Sequence, residues 1–97
     1  MEQGLDYSYD DQKDAELKKR RGVGFETVVN IFFKTHYWEL KNDNPEQYLA
    51  IAALDGQFWS VVYEEWEDEL GEFVWLVTFW PSTPKEVERF YRHVHGA

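Results

Sequence analysis
Two apolar runs, residues 48–54 and 58–64, meet at Asp55-Gly56, and no other feature restricts the fold of this chain as much. Asp-Gly suits a two-residue hairpin turn, because a type I′ turn needs positive φ at both central residues. A third run, residues 73–80, is nearly continuous in apolar side chains. Such a run predicts a strand covered on both faces and central in its sheet. Residues 65–71 between them are acidic and read as a loop or bulge. Residues 35–40 are β-prone, and the Lys41-Asn42-Asp43-Asn44-Pro45 string that follows reads as a turn. Tyr7-Ser8-Tyr9 is short enough for a first strand only.

Helical signals flank this β-rich middle. Asp10 is a natural N-cap for a helix over residues 11–21, which starts with acids, ends in Lys18-Lys19-Arg20-Arg21 and closes at Gly22. Phe25, Val28, Val29 and Phe32 are spaced for one buried stripe and predict a helix over residues 25–33. Thr83-Pro84-Lys85-Glu86 is a capping box with Pro at the first helical position. Val87, Phe90, Tyr91 and Val94 then form a stripe, and Gly96 can end the helix. The expected fold is α+β: two N-terminal helices, an antiparallel sheet of about four to five strands and a C-terminal helix. The 97 residues suit a single domain over 1–97, with residues 1–6 as a loose N-terminus.

Charge and composition exclude several functions. The net charge is −9 and the pI about 4.6. Residues 42–84 contain no Lys or Arg but carry Asp43, Glu46, Asp55, Glu64, Glu65, Glu67, Asp68, Glu69 and Glu72. A surface built from that stretch cannot grip phosphate with cations. With no Cys, disulfides, thiolate metal sites and cysteine nucleophiles are excluded. The acidic start Met1-Glu2-Gln3-Gly4 is unlike a signal peptide, and no apolar run is long enough for a membrane span. A cytoplasmic protein without cofactor or membrane partner is expected. His93-x-His95 falls at a helix end, where paired His are usually just exposed, and the Glu64–Glu69 acids lack the spaced Asp/Asn and Gly of a dedicated loop, so no metal is expected. His36 reads as a strand residue rather than a base. Trp59, Trp66, Trp75 and Trp80 exceed what so short a core needs, and surplus exposed Trp marks an interface. Trp75 and Trp80 are five apart, which on a regular strand gives opposite faces.

Several strings resemble the BrnT family, toxins of type II toxin–antitoxin modules with a RelE-like ribonuclease fold. The aromatic-Asp-x-x-Lys pattern of that family is similar to Tyr9-Asp10-Asp11-Gln12-Lys13. Its basic-Gly-Val-x-Phe-Glu string resembles Arg21-Gly22-Val23-Gly24-Phe25-Glu26, and its apolar-Phe pair resembles Ile31-Phe32. Val61-Val62-Tyr63 resembles its Val-Val-Tyr strand, and Glu86 and Arg89 fall in its charged last helix. The resemblance runs from Tyr9 to Tyr91 and implies a RelE-like fold, a cognate antitoxin as partner, and mRNA endoribonuclease activity. The departures are specific. Arg21 stands for the usual His and Leu17 for the usual Asn. Trp66, Trp75 and Trp80 stand where the family has arginines.

RelE-like cleavage activates a ribose 2′-hydroxyl and stabilises a crowded phosphate with cations. Tryptophan offers one N–H and a π-face, which suits stacking instead. Catalysis at the usual place is therefore disfavoured. A relocated basic site could draw on Lys13, Arg20, Arg21 and Arg89, with Lys18, Lys19, Lys34 and Arg92 near by in sequence. Trp66, Trp75, Trp80, Glu64 and Glu65 are the candidate partner-binding residues. RNA is the second partner that the resemblance implies. The rival reading is a non-enzymatic acidic interaction module on the same scaffold, an inhibitor or nucleic-acid mimic presenting carboxylates.

Overall fold
The structure, a computed structural model, describes residues 5–94. In chain order it contains β1 (Tyr7–Tyr9), α1 (Asp11–Arg21), α2 (Phe25–Val28), a 3-10 helix (Val29–Phe33) and β2 (Tyr37–Asp43). β3 (Glu46–Leu54), β4 (Gln57–Asp68), β5 (Gly71–Pro81) and α3 (Pro84–Val94) follow. The strands make one five-stranded sheet in the order β1-β5-β4-β3-β2. The fold is α+β, as expected. No helix among the described residues is long and apolar enough to cross a membrane.

Local chemistry explains the elements. The Asp55-Gly56 turn has φ of 50° and 88° and joins β3 to β4 as an antiparallel pair. Asp10 caps α1 by accepting the Gln12 amide, and Gly22 ends it at φ 86° with its N–H on the Lys18 carbonyl. In the capping box of α3, Thr83 N–H donates to Glu86 Oε1 at 2.9 Å and Glu86 N–H to Thr83 Oγ1 at 3.2 Å. Asp14 is buried and accepts the Phe25 N–H at 2.8 Å, tying α1 to the start of α2. A Cβ on Gly24 would sit 2.6 Å from Asp14 Oδ1, so any larger residue would have to displace the carboxylate that accepts the Phe25 N–H.

Several expectations need correction. β1 pairs with β5 in parallel, Tyr7 opposite Val74 and Tyr9 opposite Leu76, so the sheet is mixed. β1 runs straight into α1, and the packing of α1 sets its direction where a hairpin would have reversed it. The central strand is β4, whose Trp59 to Tyr63 are all buried, while β5 has only the short β1 outside it. The acidic residues 65–68 continue β4 instead of forming a loop, and only Glu69 and Leu70 turn. The second helix is split: α2 gives way to a 3-10 turn where Asn30 Nδ2 donates to the Glu26 and Thr27 carbonyls. β2 starts at Tyr37, leaving His36 outside it, and runs on through Lys41 to Asp43. Residues 1–4 and 95–97, which include His95 and Gly96, lie outside the described residues. Leu5 packs on the core and the Asp6 carbonyl accepts the Val74 N–H, so both belong to the fold rather than to a loose end.

The sheet has a helix layer on each side. Phe25 of α2 meets Phe79 edge-on, and Phe32 meets Tyr63. On the other side Phe90 of α3 meets Phe58, and His93 stacks on Tyr37. Phe25, Phe79, Val61 and Ile51 are fully buried. Each such side chain contributes about 1.5–3 kcal/mol of burial free energy.

Candidate functional site
Strand parity assigns every residue of β4 and β5 to a face. Opposite partners share a face in an antiparallel pair. Val62 faces Thr78, but Tyr63 faces Leu76, so Val77 is an extra residue in β5. This bulge reverses the alternation. Trp75 and Trp80 therefore lie on the same face, the one under α3, against the expectation of opposite faces. Trp66 joins them, opposite Phe73, and Glu64 lies opposite Trp75.

A polar ladder crosses this face. Asn42 Nδ2 donates to Gln47 Oε1 at 2.9 Å, and Gln47 Nε2 donates to Glu64 Oε2 at 2.7 Å. The Trp66 indole donates to Glu64 Oε1 at 2.7 Å. These bonds fix the Trp66 ring while it stays 53% exposed. Trp80 is held differently: its indole donates to Glu86 Oε1 at 3.0 Å, and Ser60 Oγ donates to the same oxygen at 2.8 Å. Burial alone would raise the Glu86 pKa, but the Thr83 amide, Ser60, Trp80 and the Arg89 charge together bring it below the ordinary value. Of the predicted partner-binding residues, the fold brings together Trp66, Trp75 and Glu64, anchors Trp80 farther along the same face beside Ser60 and Glu86, and puts Glu65 on the opposite face.

The basic candidates are not brought together. Arg89 lies on α3 and its guanidinium pairs with Glu39 at 3.2 Å. Lys13, Arg20 and Arg21 lie on α1, which is tied to α2 on the other side of the sheet. Arg20 is exposed, Lys13 and Arg21 are partly buried, and Lys18 pairs with Asp14 at 3.4 Å. Phosphoryl-transfer chemistry needs cations converging on one phosphate. Arg89 and the α1 cations have the sheet between them.

The residues shared with the resembled family carry structure. Phe25 and Ile31 are buried, and Val61-Val62-Tyr63 forms the centre of β4. Glu26 accepts the hydroxyls of Tyr7 and Tyr9. The Glu26 hydrogen bond pushes the Tyr9 phenol up to about 12, and the two tyrosines hold Glu26 below its ordinary value.

Sequence reasoning missed a cluster on the α2 side: Phe32, His36, Trp38, Tyr48 and Tyr63 line one cavity. Its signal was present in strand alternation, since Trp38 and Tyr48 fall on the same face once β2 and β3 are paired. The pairing itself was needed to see it. No protein-family model matches the chain, and no curated protein is significantly similar to it.

Proposed function
We propose that the chain is the BrnT-like toxin component of a bacterial toxin–antitoxin module, acting in the cytoplasm, and that it binds a cognate antitoxin through the α3-side surface of β4 and β5. One observation carries this reading. Trp66, Trp75 and Trp80, the three residues that stand for arginines of the resembled family, share one face of the sheet. The matched strings supply core and caps, while these three departures fall on one face of the sheet. A surface of indole rings and one hydrogen-bonded carboxylate suits protein contact, because aromatic rings bury large area at low entropic cost. mRNA cleavage, the activity of the family, would have to use the α1 cations instead.

The second reading is a non-enzymatic acidic interaction module on the same scaffold. It is favoured by the ladder from Asn42 to Trp66, which contains a carboxylate and no cation.

Induced expression in a bacterial host, following growth and total RNA integrity, tests both, with an Arg20→Ala/Arg21→Ala variant alongside. Growth arrest with RNA cleavage, relieved in the double variant, is the outcome for a nuclease working from α1. Growth arrest with intact RNA fits a toxin acting by binding. Normal growth sinks the toxin reading and leaves the interaction module.

A further inference from the structure
On the α2 side of the sheet, Phe32, Trp38, Tyr48 and Tyr63 wall a cavity of about 390 Å³ with His36 and Glu65 at its lining. The rings are mutually braced: Trp38 meets Tyr48 edge-on at 5.7 Å, Tyr48 stacks on Tyr63 at 5.4 Å, and Phe32 meets Tyr63 edge-on at 5.0 Å. His36 is held by a 2.8 Å contact from Nδ1 to the Lys34 carbonyl and by the Phe32 ring. Leu5, Glu65 and Val74 also line a second cavity of about 450 Å³, which adds the carboxylates of Asp6, Glu67 and Glu72 and the rings of Trp66 and Phe73. Neither lining contains a Lys or Arg.

We infer that this pair of cavities is a docking groove for a basic, extended polypeptide segment, with an Arg or Lys side chain seated among the rings and further cations along the carboxylates. Ring faces attract cations through their quadrupole, and a nearby carboxylate adds Coulomb attraction. The aliphatic stem of Arg or Lys covers apolar surface while its head stays polar, which matches a wall of rings with Glu65 beside it. A nucleobase would also stack on the rings, but its phosphates would then lie against Glu65, Asp6, Glu67 and Glu72. Charge complementarity therefore selects the basic polypeptide. The ring-walled cavity lies across the sheet from Trp75 and the second cavity reaches the sheet end at Trp66, but the inference does not depend on the toxin reading, and its test uses purified protein only.

Isothermal titration calorimetry with an alternating Arg-Gly peptide tests the inference, with a Gln-Gly peptide, tetramethylammonium and a single-stranded RNA oligonucleotide as rival ligands. The Arg-Gly peptide is expected to bind, and Trp38→Ala to weaken it about tenfold, within the range of a desolvated cation–π contact. Trp38 is 55% exposed on an edge strand, so its truncation leaves the fold intact, as a thermal melt will verify. This substitution leaves the net charge at −9, so the loss separates the groove from general attraction to an acidic protein. Trp38→Phe keeps a ring and restores most of the affinity. Glu65→Gln weakens binding, whereas Glu88→Gln, an equal charge change on α3, does not. The inference is overturned by unaltered binding in Trp38→Ala, by equal effects of the two Glu substitutions, or by equal binding of the Gln-Gly peptide. Tighter binding of tetramethylammonium or of the RNA would overturn it in favour of a small amine or a nucleic acid.

Discussion

The carboxylate of Glu86 closes the first turn of α3 and also binds the sheet beneath it, through the Thr83 amide on one side and Ser60 and Trp80 on the other. Removing its charge leaves a buried hydroxyl and indole with a weaker acceptor. Glu86→Gln is expected to cost about 1–3 kcal/mol at neutral pH, read as a fall in Tm. The pH dependence follows from the direction of its shift. A carboxyl held below its ordinary value of 4.5 contributes stability in full above that value and loses it as pH falls through the folded-state pKa. The Tm gap between the protein and Glu86→Gln should therefore be constant near neutrality and close below about pH 4.5. A gap independent of pH down to acid unfolding would contradict this. The capping box was legible because its partners are three residues apart. Ser60 and Trp80 were not, because only the β4–β5 register and the packing of α3 bring them to Glu86.

One inserted residue in β5 decides which side chains share the candidate surface. Val77 lets Trp75 and Trp80 lie on one face while Leu76 and Phe79 both fill the core on the other. Deleting Val77 restores strict alternation, so either the Leu76 or the Phe79 half of the strand must present the wrong face. The expected result is loss of cooperative thermal unfolding, whereas Val77→Ala, which keeps the extra residue, remains cooperative. Strands and helices were largely readable from apolar spacing and turn residues. The bulge was not, because the run from residue 73 to 80 is apolar on both faces and carries no alternation to break. The same uniformity made β5 look central, although β4 holds that place.

At the scale of the whole molecule nine of the ten Lys and Arg residues lie outside the sheet, the exception being Lys41 on the edge strand β2. Residues 18–21 form the one run of consecutive cations, and β3, β4 and β5 carry none. Nucleic-acid affinity should be weak at physiological salt, fall steeply as salt rises, and disappear in Arg20→Ala/Arg21→Ala. A filter-binding titration with single-stranded RNA over a salt series would measure it, and strong binding retained in that variant would place the contact elsewhere. The sequence by itself determined the element order, the hairpin at Asp55-Gly56, the caps and the absence of cations from β3, β4 and β5. These depend on neighbours a few residues apart or on composition alone. Only the tertiary structure decided that β1 joins in parallel, that three tryptophans share a face, that Arg89 is parted from the α1 cations, and that Trp38, Tyr48 and Tyr63 gather around one cavity. Those outcomes depend on strand register and layer packing, where a shift of a single residue turns every side chain over.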